Sequence, residues 1–272
     1  RYCQGHWRER GGRRVWQADG ATRLEELRRL VRPLLLHRRK QQCLDLPPKR
    51  RRLLPVRLAA AEARRFEQGL DALVDDYRRR AGRGEVRRDA EALAVLTGLR
   101  RLGSEHKLSD AHRLVGDLLA AGETVVVFTA FVATARALHH LQGGEGRAAL
   151  LTGAVPPGRR QAVVDAFQSG RRPLLVATYG TAGLGFTLHR ARHVVLIERP
   201  WTPGDAEQAE DRCHRIGMGS ALTCHWLQLG AADRLVDDLI ASKAERISLL
   251  MEGSGSWRRS LPEQVRRLLE SW

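Results

Sequence analysis

Apolar residues cluster in short runs through the middle of the chain, and most of these runs end in polar residues or glycine. A run of about four to eight apolar residues is typical of a strand that is buried on both faces of a sheet. The pattern predicts strands at residues 124–129, 148–152, 174–178, 193–198 and 222–229. Because segments with helical spacing separate these strands, we expect an α/β fold with a mainly parallel sheet covered by helices.

Longer amphipathic patterns stand before and after the strand region. They predict one helix near the N-terminus and two more over residues 58–80 and 90–102. The apolar face of the first of these helices carries Leu24, Leu27, Leu30 and Val31. Near the C-terminus, the glycine- and serine-rich residues 253–256 indicate a flexible break, and a last amphipathic helix is predicted behind it.

The charge of the chain narrows the class of partner. Its 47 lysines and arginines exceed its 31 aspartates and glutamates, which gives a formal charge of +16. So basic a chain favours a polyanion, with nucleic acid first and an anionic membrane second. No apolar run approaches the roughly 20 residues of a membrane span. The four cysteines form no Cys-x-x-Cys pair and the histidines show no metal-ligand spacing, so no metal site is predicted.

The clearest chemical pattern is a helical segment with one amide and two guanidiniums. Gln208, Arg212 and Arg215 follow one another at intervals of four and three residues, which predicts that they share one helix face. Two arginines at this spacing repel each other unless an anion lies near them, and a nucleotide γ-phosphate matches the guanidinium fork. The alternative is a solvated basic helix whose charge is balanced by Glu207, Glu210 and Asp211.

A glycine-rich loop and a further strand precede this helical segment. Residues 174–188 run from an apolar strand into a loop with three glycines, which permit tight turns and a close approach of the backbone to a ligand. The next strand ends at Glu198 and leads into a Trp-x-Pro turn. Glu198 is interpreted either as a structural carboxylate that holds Arg192 or Arg199, or as a residue that couples two sites.

The order of these motifs resembles the C-terminal helicase lobe of the Swi/Snf-type ATPases of superfamily two. Residues 36–49 are similar to the signature that joins the two lobes of those enzymes, and residues 125–131, 151–168, 178–188 and 208–217 resemble motif IV, the segment after it, motif V and motif VI. Residues 1–3, 20–27 and 201–204 favour the fork-remodelling, annealing-helicase branch. Met218 departs from the family, which usually has glutamine at that position.

This resemblance implies a RecA-like lobe with a helical protrusion. It divides the chain into a basic interlobe connector at the end of the first lobe (1–57), the helical protrusion (58–104), the second helicase lobe (105–252), and a linker with a C-terminal helix (253–272).

The resemblance also implies roles for individual residues. Arg212 and Arg215 are expected to act as arginine fingers on the γ-phosphate, and Gln208 and Gly183 to contact ATP with them. The residues expected to contact the DNA backbone are Thr129, Thr178, Gly180, Thr181, Arg38, Arg39 and Lys40. For the basic run 38–40, a solvated surface or a brace between the lobes is the alternative.

ATP and Mg²⁺ are the cofactors that the resemblance implies. In the family, the phosphate loop and the carboxylates that hold Mg²⁺ lie in the first lobe. The sequence shows neither a Gly-x-x-x-x-Gly-Lys-Ser/Thr motif nor an Asp-Glu pair at the end of an apolar strand. We therefore interpret the chain as a C-terminal part of a longer enzyme, expect it to be inactive alone, and assign Mg²⁺ mainly to the first lobe.

The expected function is that of the second lobe of an ATP-dependent DNA translocase or remodelling helicase. Its partners would be duplex or branched DNA, bound without sequence preference, and the first lobe of the same protein, with no membrane. It would act on the bacterial nucleoid in the cytoplasm, or in the nucleus of a eukaryote. A non-catalytic basic DNA-binding module and an RNA helicase lobe are the alternatives. The Gln/Arg/Arg segment argues against the module, and the connector and the Trp-x-Pro turn argue against the RNA helicase.

Overall fold

A computed structural model describes the parts of the chain that bear on these predictions. The described residues are 2, 5–10, 13–17, 22–36, 38, 40–83, 88–182, 185–200, 202–230 and 233–234. The chain divides into two compact units, one formed by Arg1–Cys43 with Asp238–Trp272 and the other by Leu44–Asp237. The predicted linker and C-terminal helix at 253–272 lie outside the described residues.

The described part of the first unit begins with a β-hairpin. Strands β1 (His6–Arg10) and β2 (Arg13–Gln17) pair antiparallel, and helix α1 (Leu24–Val31), a short 3₁₀ turn and helix α2 (Lys40–Cys43) follow. The predicted amphipathic helix is thus confirmed as α1. The hairpin was not predicted, because arginines at alternate positions hide the apolar alternation by which a strand is recognised.

The second unit contains the sheet. Its elements are β3 (Lys49–Pro55), α3 (Ala60–Gly82), α4 (Arg88–Ala120), β4 (Val125–Thr129), α5 (Val132–Leu141), β5 (Ala148–Leu151), α6 (Pro157–Gln168), β6 (Leu174–Thr178), α7 (Tyr179–Ala182), β7 (His193–Leu196), α8 (Pro203–Cys213) and β8 (Leu222–Gln228). Within the described residues, the sheet has the strand order β3-β8-β7-β4-β6-β5, and every pair is parallel. The predicted RecA-like α/β class with a mainly parallel sheet is confirmed.

Strand β4 lies at the centre of this sheet. Val127 is in register with Val176 of β6 on one side and with Val195 of β7 on the other. Alternate residues of the strand enter two separate cores: Phe128 packs with α6 and α8 on one face, and Val127 packs with α4 and α5 on the other. Since both faces are covered, a nearly continuous apolar run is what such a strand requires.

All five predicted strands are present, and their ends differ from the prediction by at most two residues. At two of the predicted domain boundaries, the structure continues across the boundary. Strand β3, which the prediction placed in the connector, hydrogen-bonds to β8 throughout its length. Helix α4 continues without a break past residue 104, where the protrusion was expected to end. Helix α4 therefore reaches from the predicted protrusion into the lobe.

A lysine is buried between α4 and the sheet. The Lys107 ammonium is fully enclosed; it donates to the backbone carbonyl of Ile197 over 3.0 Å and lies 2.5 Å from the Asp233 carboxylate. Burial lowers the pKa of Lys107, and the charge of Asp233 opposes that shift. A buried ion that is left without its partner is strongly destabilising. The fold therefore depends on the pair of Lys107 and Asp233.

We predict that Lys107→Met lowers the free energy of unfolding by about 3 kcal/mol, because it leaves the Asp233 carboxylate without its cation. The matched control is Arg101→Met on the same helix. The partner of Arg101 is Glu105 at 3.6 Å, both side chains are largely exposed, and the expected loss stays within about 0.5 kcal/mol. Urea unfolding of the 272-residue chain measures both. Equal midpoints for the two variants would contradict the structural role of Lys107.

Candidate functional site

The carboxyl ends of the parallel strands meet at one edge of the sheet, and Glu198 stands at its centre. Its carboxylate accepts hydrogen bonds from the Thr129 hydroxyl (2.9 and 3.1 Å) and from the backbone N–H of Ala130 (2.8 Å). Arg192 lies instead at 3.6 Å from Glu123. The Glu198 carboxylate thus holds the end of β4 and not Arg192, while its role in coupling two sites stays a prediction.

Three predicted DNA-binding threonines belong to this buried edge. Thr129, Thr178 and Thr181 are all buried. The Thr181 hydroxyl lies 2.8 Å from the backbone oxygens of Leu151 and Thr178, and 3.1 Å from the Thr178 hydroxyl. These hydroxyls are used inside the fold, and their burial argues against the prediction that they contact phosphates directly. Their observed contacts hold the loop after β6 in shape.

An open cleft of about 440 Å³ lies above this edge, between the ends of β4 and β6 and the start of α8. It is lined by residues that include Ala130, Phe131, Gly180, Gln208 and Arg100. Segments with the predicted motif IV, V and VI patterns thus meet in one place, as expected from parallel strands. Gly180 and Gln208, both predicted site residues, border the same cleft.

Tyr179 and Arg100 form part of the floor of the cleft. The Tyr179 hydroxyl donates to the backbone oxygen of Glu198 over 2.5 Å, and burial, reinforced by the charge of Glu198, raises its pKa well above the usual value. The Arg100 guanidinium donates to the backbone oxygen of Arg199. Burial lowers the pKa of Arg100, although the charge of Glu198 opposes that shift. A buried guanidinium and the phenol of Tyr179 thus lie beneath the cleft, and both donate to the backbone of the segment that follows β7.

The two arginines of the predicted site do not share a helix. Helix α8 ends at Cys213, so Arg215 lies in the turn that follows, and the prediction from helical spacing is wrong for this residue. The charges of the two guanidiniums nevertheless act on each other. The pKa of Arg212 is lowered by burial and then by the charge of Arg215, with Asp211 acting in the opposite direction.

Contacts with the loop before β7 orient this pair of arginines. The Arg215 guanidinium donates to the Thr187 hydroxyl over 2.9 Å, and the Leu188 N–H donates to the Arg212 carbonyl over 2.8 Å. The loop contains Gly185, whose φ of 88° lies in the left-handed region that favours glycine. The arginines are thus positioned by the loop of the motif V pattern and not by helix geometry alone.

A buried carboxylate ties α8 to the sheet. Glu210 is fully buried and accepts hydrogen bonds from the guanidinium of Arg51 (2.7 Å) and the indole N–H of Trp226 (2.9 Å). The Lys49 ammonium lies 3.2 Å from both Glu210 and Asp211. Burial would lower the pKa of Lys49, but these two carboxylates raise it. Glu210 therefore neutralises the cations of β3, which weakens the alternative that it balances Arg212 and Arg215.

The remaining predicted site residues lie elsewhere or cannot be placed. Arg38 is exposed and Lys40 is half-buried, and both belong to the first unit. Gly183 and Arg39 lie outside the described residues.

Sequence reasoning missed the polar residues beneath the cleft. Arg100, Ser104 and Lys107 are buried and recur along α4 at intervals of four and three residues, in line with the apolar Ala111. Polar residues that continue an apolar stripe are the signal that would have found them, because a helix face is buried as a unit. Where the chain is described, no three His, Cys, Asp or Glu side chains group as metal ligands would. In that same part, no helix is long and apolar enough to cross a membrane.

The all-parallel sheet, its two helical layers and the cleft at its carboxyl edge define a RecA-like α/β lobe. Residues 106–217 match the family model described as helicase conserved C-terminal domain. The chain therefore contains a helicase C-terminal domain, and the predicted relationship to the Swi/Snf-type ATPases is confirmed.

Individual relatives agree with this assignment. The chain is 29% identical, over 93% of its length, to the DNA annealing helicase and endonuclease ZRANB3 of Bos taurus, of which it covers 24%. The Sulfolobus solfataricus SWI2/SNF2 ATPase core in complex with dsDNA superposes with a TM-score of 0.61 at 22% identity, covering 90% of this chain and 55% of that one. The C-terminal part of the Fun30 ATPase domain superposes with a TM-score of 0.59 at 16% identity, covering 84% and 97%. The two structural likenesses show the fold.

We predict that Glu210→Gln lowers the free energy of unfolding by roughly 2 kcal/mol, because Arg51 then loses its anion and Lys49 keeps only Asp211. The value is below that of a fully enclosed pair, because the Arg51 side chain is 47% exposed. Glu207→Gln, an exposed carboxylate on the same helix, is the matched control and should be nearly neutral. Thermal or urea unfolding measures both; a neutral Glu210→Gln would show that the network does not hold α8.

Proposed function

We propose that the chain is the second lobe of an ATP-dependent DNA translocase or remodelling helicase, in which ATP hydrolysis drives movement on duplex or branched DNA. The observation that carries the proposal is the position of Arg215, which donates to the Thr187 hydroxyl three residues after Arg212 of α8, in a segment that matches the helicase conserved C-terminal domain. Adjacent guanidiniums repel each other, and an anion beside them relieves that repulsion. A phosphoryl group that gains negative charge in the transition state is such an anion.

The chain spans about a quarter of the length of the bovine relative that it matches, so the activity of the whole protein is part of the proposal. The donor set of Arg212 and Arg215 fits the phosphates of ATP, because guanidinium forks pair with phosphate oxygens. A Mg²⁺ ion would neutralise phosphate charge when bound. The described residues present no carboxylate group suited to hold it, and we assign that task to the first lobe of the same protein.

Within this proposal the residues of the lobe have separate tasks. Arg212 and Arg215 neutralise charge on the transferred phosphoryl group, and Thr187 holds the Arg215 fork in position. Glu210 holds α8 against β3 and β8 and so keeps both arginines at a defined distance from the sheet. Gln208 borders the cleft and connects the start of α8 with the loop after β6. Gln208 and Gly183 contact the nucleotide within this proposal.

DNA would be bound through its phosphate backbone, without sequence preference. Gly180 offers backbone at the rim of the cleft, and the basic run of Arg38, Arg39 and Lys40 supplies positive charge. The buried hydroxyls of Thr129, Thr178 and Thr181 would support the loop at Gly180 from below. The bovine relative is named a DNA annealing helicase, and the Sulfolobus structure contains dsDNA, which favours DNA over RNA. Such a protein would act in the nucleus or on a bacterial nucleoid.

The first test of this function concerns the arginines. In the protein that joins this lobe to a nucleotide-binding first lobe, Arg215→Ala and Arg212→Ala should each lower the DNA-stimulated ATPase rate by about 10³-fold or more, because an arginine finger acts in the transition state. Arg→Lys should restore little, since an ammonium lacks the planar fork. Steady-state phosphate release, measured against DNA concentration, gives both the maximal rate and the DNA concentration at which half of that rate is reached.

Two controls make this test specific. Arg159→Ala, an exposed arginine of α6, should leave the ATPase rate unchanged. The 272-residue chain alone should release no phosphate, because it has no phosphate loop. If Arg212→Ala and Arg215→Ala keep the full maximal rate and only require more DNA, then the two arginines are DNA contacts, and the non-catalytic binding module becomes the better interpretation.

The second test concerns the DNA contact of the chain. The logarithm of its affinity for duplex DNA should fall linearly with the logarithm of salt concentration, by about 0.9 for each phosphate neutralised. Arg38→Gln should reduce this slope by about one unit, equally for unrelated sequences. Arg113→Gln is the control, because the exposed guanidinium of Arg113 already pairs with Asp110. An affinity that does not change with salt would refute the electrostatic contact.

A further inference from the structure

The β1–β2 hairpin of the first unit carries two exposed tryptophans. Trp7 is 57% exposed and Trp16 is 51% exposed. The two residues are direct partners across the hairpin, so both side chains stand on the same face of it. Indoles are among the largest apolar side chains, and a pair of them on one exposed face is typical of a contact surface.

Contacts within the hairpin hold the two indoles in place. Their ring centroids are 5.2 Å apart at an interplanar angle of 67°, an edge-to-face arrangement. The guanidinium of Arg14, a further residue of that face, lies 5.5 Å from the Trp7 ring. Because neighbours already restrict the rings, a ligand that stacks on them loses little additional side-chain entropy.

The charge of the hairpin identifies the ligand. Residues 5–17 contain four arginines, which are Arg8, Arg10, Arg13 and Arg14, against the single carboxylate of Glu9. In the hairpin register, Arg14 stands opposite Glu9 on the indole face, and the other three arginines occupy the alternate positions, so the positive charge belongs to the hairpin as a whole. An apolar protein surface would match the indoles but not this charge. Unpaired nucleic acid matches both, since its bases have flat π faces and its backbone is anionic. In a duplex the base faces are stacked on each other and are not accessible to an indole.

We propose that the β1–β2 hairpin is a binding site for single-stranded DNA, in which bases stack on Trp7 and Trp16 and the positive charge of the hairpin attracts the phosphates. This site is independent of the ATPase proposed above: it needs neither the arginine pair of the second unit nor nucleotide. It gives the chain a contact with the bases of unpaired strands, in addition to the phosphate contacts of a duplex.

The test uses the full 272-residue chain and two probes of equal length, oligo-dT and an abasic sugar-phosphate chain of about 20 units. Both probes carry the same phosphates, and only oligo-dT has bases. We expect the chain to bind oligo-dT roughly five- to a hundredfold more tightly, the range for stacking of one base. Fluorescence anisotropy of labelled probes at fixed salt measures the ratio.

Tryptophan variants show whether the hairpin causes the difference in affinity between oligo-dT and the abasic chain. Trp7→Ala with Trp16→Ala should reduce the oligo-dT affinity to that of the abasic chain, while the abasic affinity stays unchanged. Trp7→Phe with Trp16→Phe should keep most of the preference, because phenyl rings still stack. Leu34→Ala, at an 88% exposed apolar residue of the same unit, should keep all of it.

Equal affinity of the unaltered chain for the two probes would overturn the proposal and identify the indole face as a protein contact. A preference that survives the double alanine variant would overturn it as well, because the bases would then stack elsewhere. Both outcomes leave the ATPase test of Arg212 and Arg215 untouched, so failure of this inference is distinguishable from failure of the proposed function.

Discussion

Parallel pairing of β4 with both β6 and β7 is the constraint on which the rest of the second unit depends. Parallel strands need long crossover connections, so helices must lie on both faces of the sheet, and all carboxyl ends must open at the same edge. The loops after β4 and β6 meet at the cleft for this reason. The pairing also makes Glu198, at the end of β7, the neighbour of Thr129 at the end of β4.

The hydrogen bonds and ion pairs of Glu210 attach helix α8 to this sheet. The carboxylate receives a guanidinium from β3 and an indole N–H from β8, so one buried anion joins α8 to the two strands at one side of the sheet. Arg212 and Arg215 follow closely after it in the chain. Helix α8, which carries Arg212 and ends just before Arg215, is thus held to the sheet by Glu210, and the Thr187 hydroxyl holds Arg215.

The basic residues that give the chain its formal charge of +16 consequently have different roles. Lys107, Arg100 and Arg199 are buried in the second unit, and Lys49 pairs with carboxylates of α8. These cations stabilise the fold and are not available as a general polyanion-binding surface. A DNA contact therefore depends on basic residues with exposed side chains, such as Arg38 and the hairpin residue Arg14. Composition indicates the class of partner, and burial determines which cations can meet it.

The sequence alone determined the five core strands, the helices between them and the order of the motifs, because strand and helix periodicities are local properties of a buried segment. It also indicated Arg212 and Arg215, since an amide and two arginines at close spacing form an unusual pattern. Only the tertiary structure revealed that the arginine-rich segment Lys49–Pro55 is a strand, because its partner β8 lies far along the chain. Likewise, it alone moved Arg215 off the helix, buried Thr129, Thr178 and Thr181, and enclosed Lys107. The free energy of a polar side chain depends on partners that folding brings from distant segments, and no local pattern contains that information.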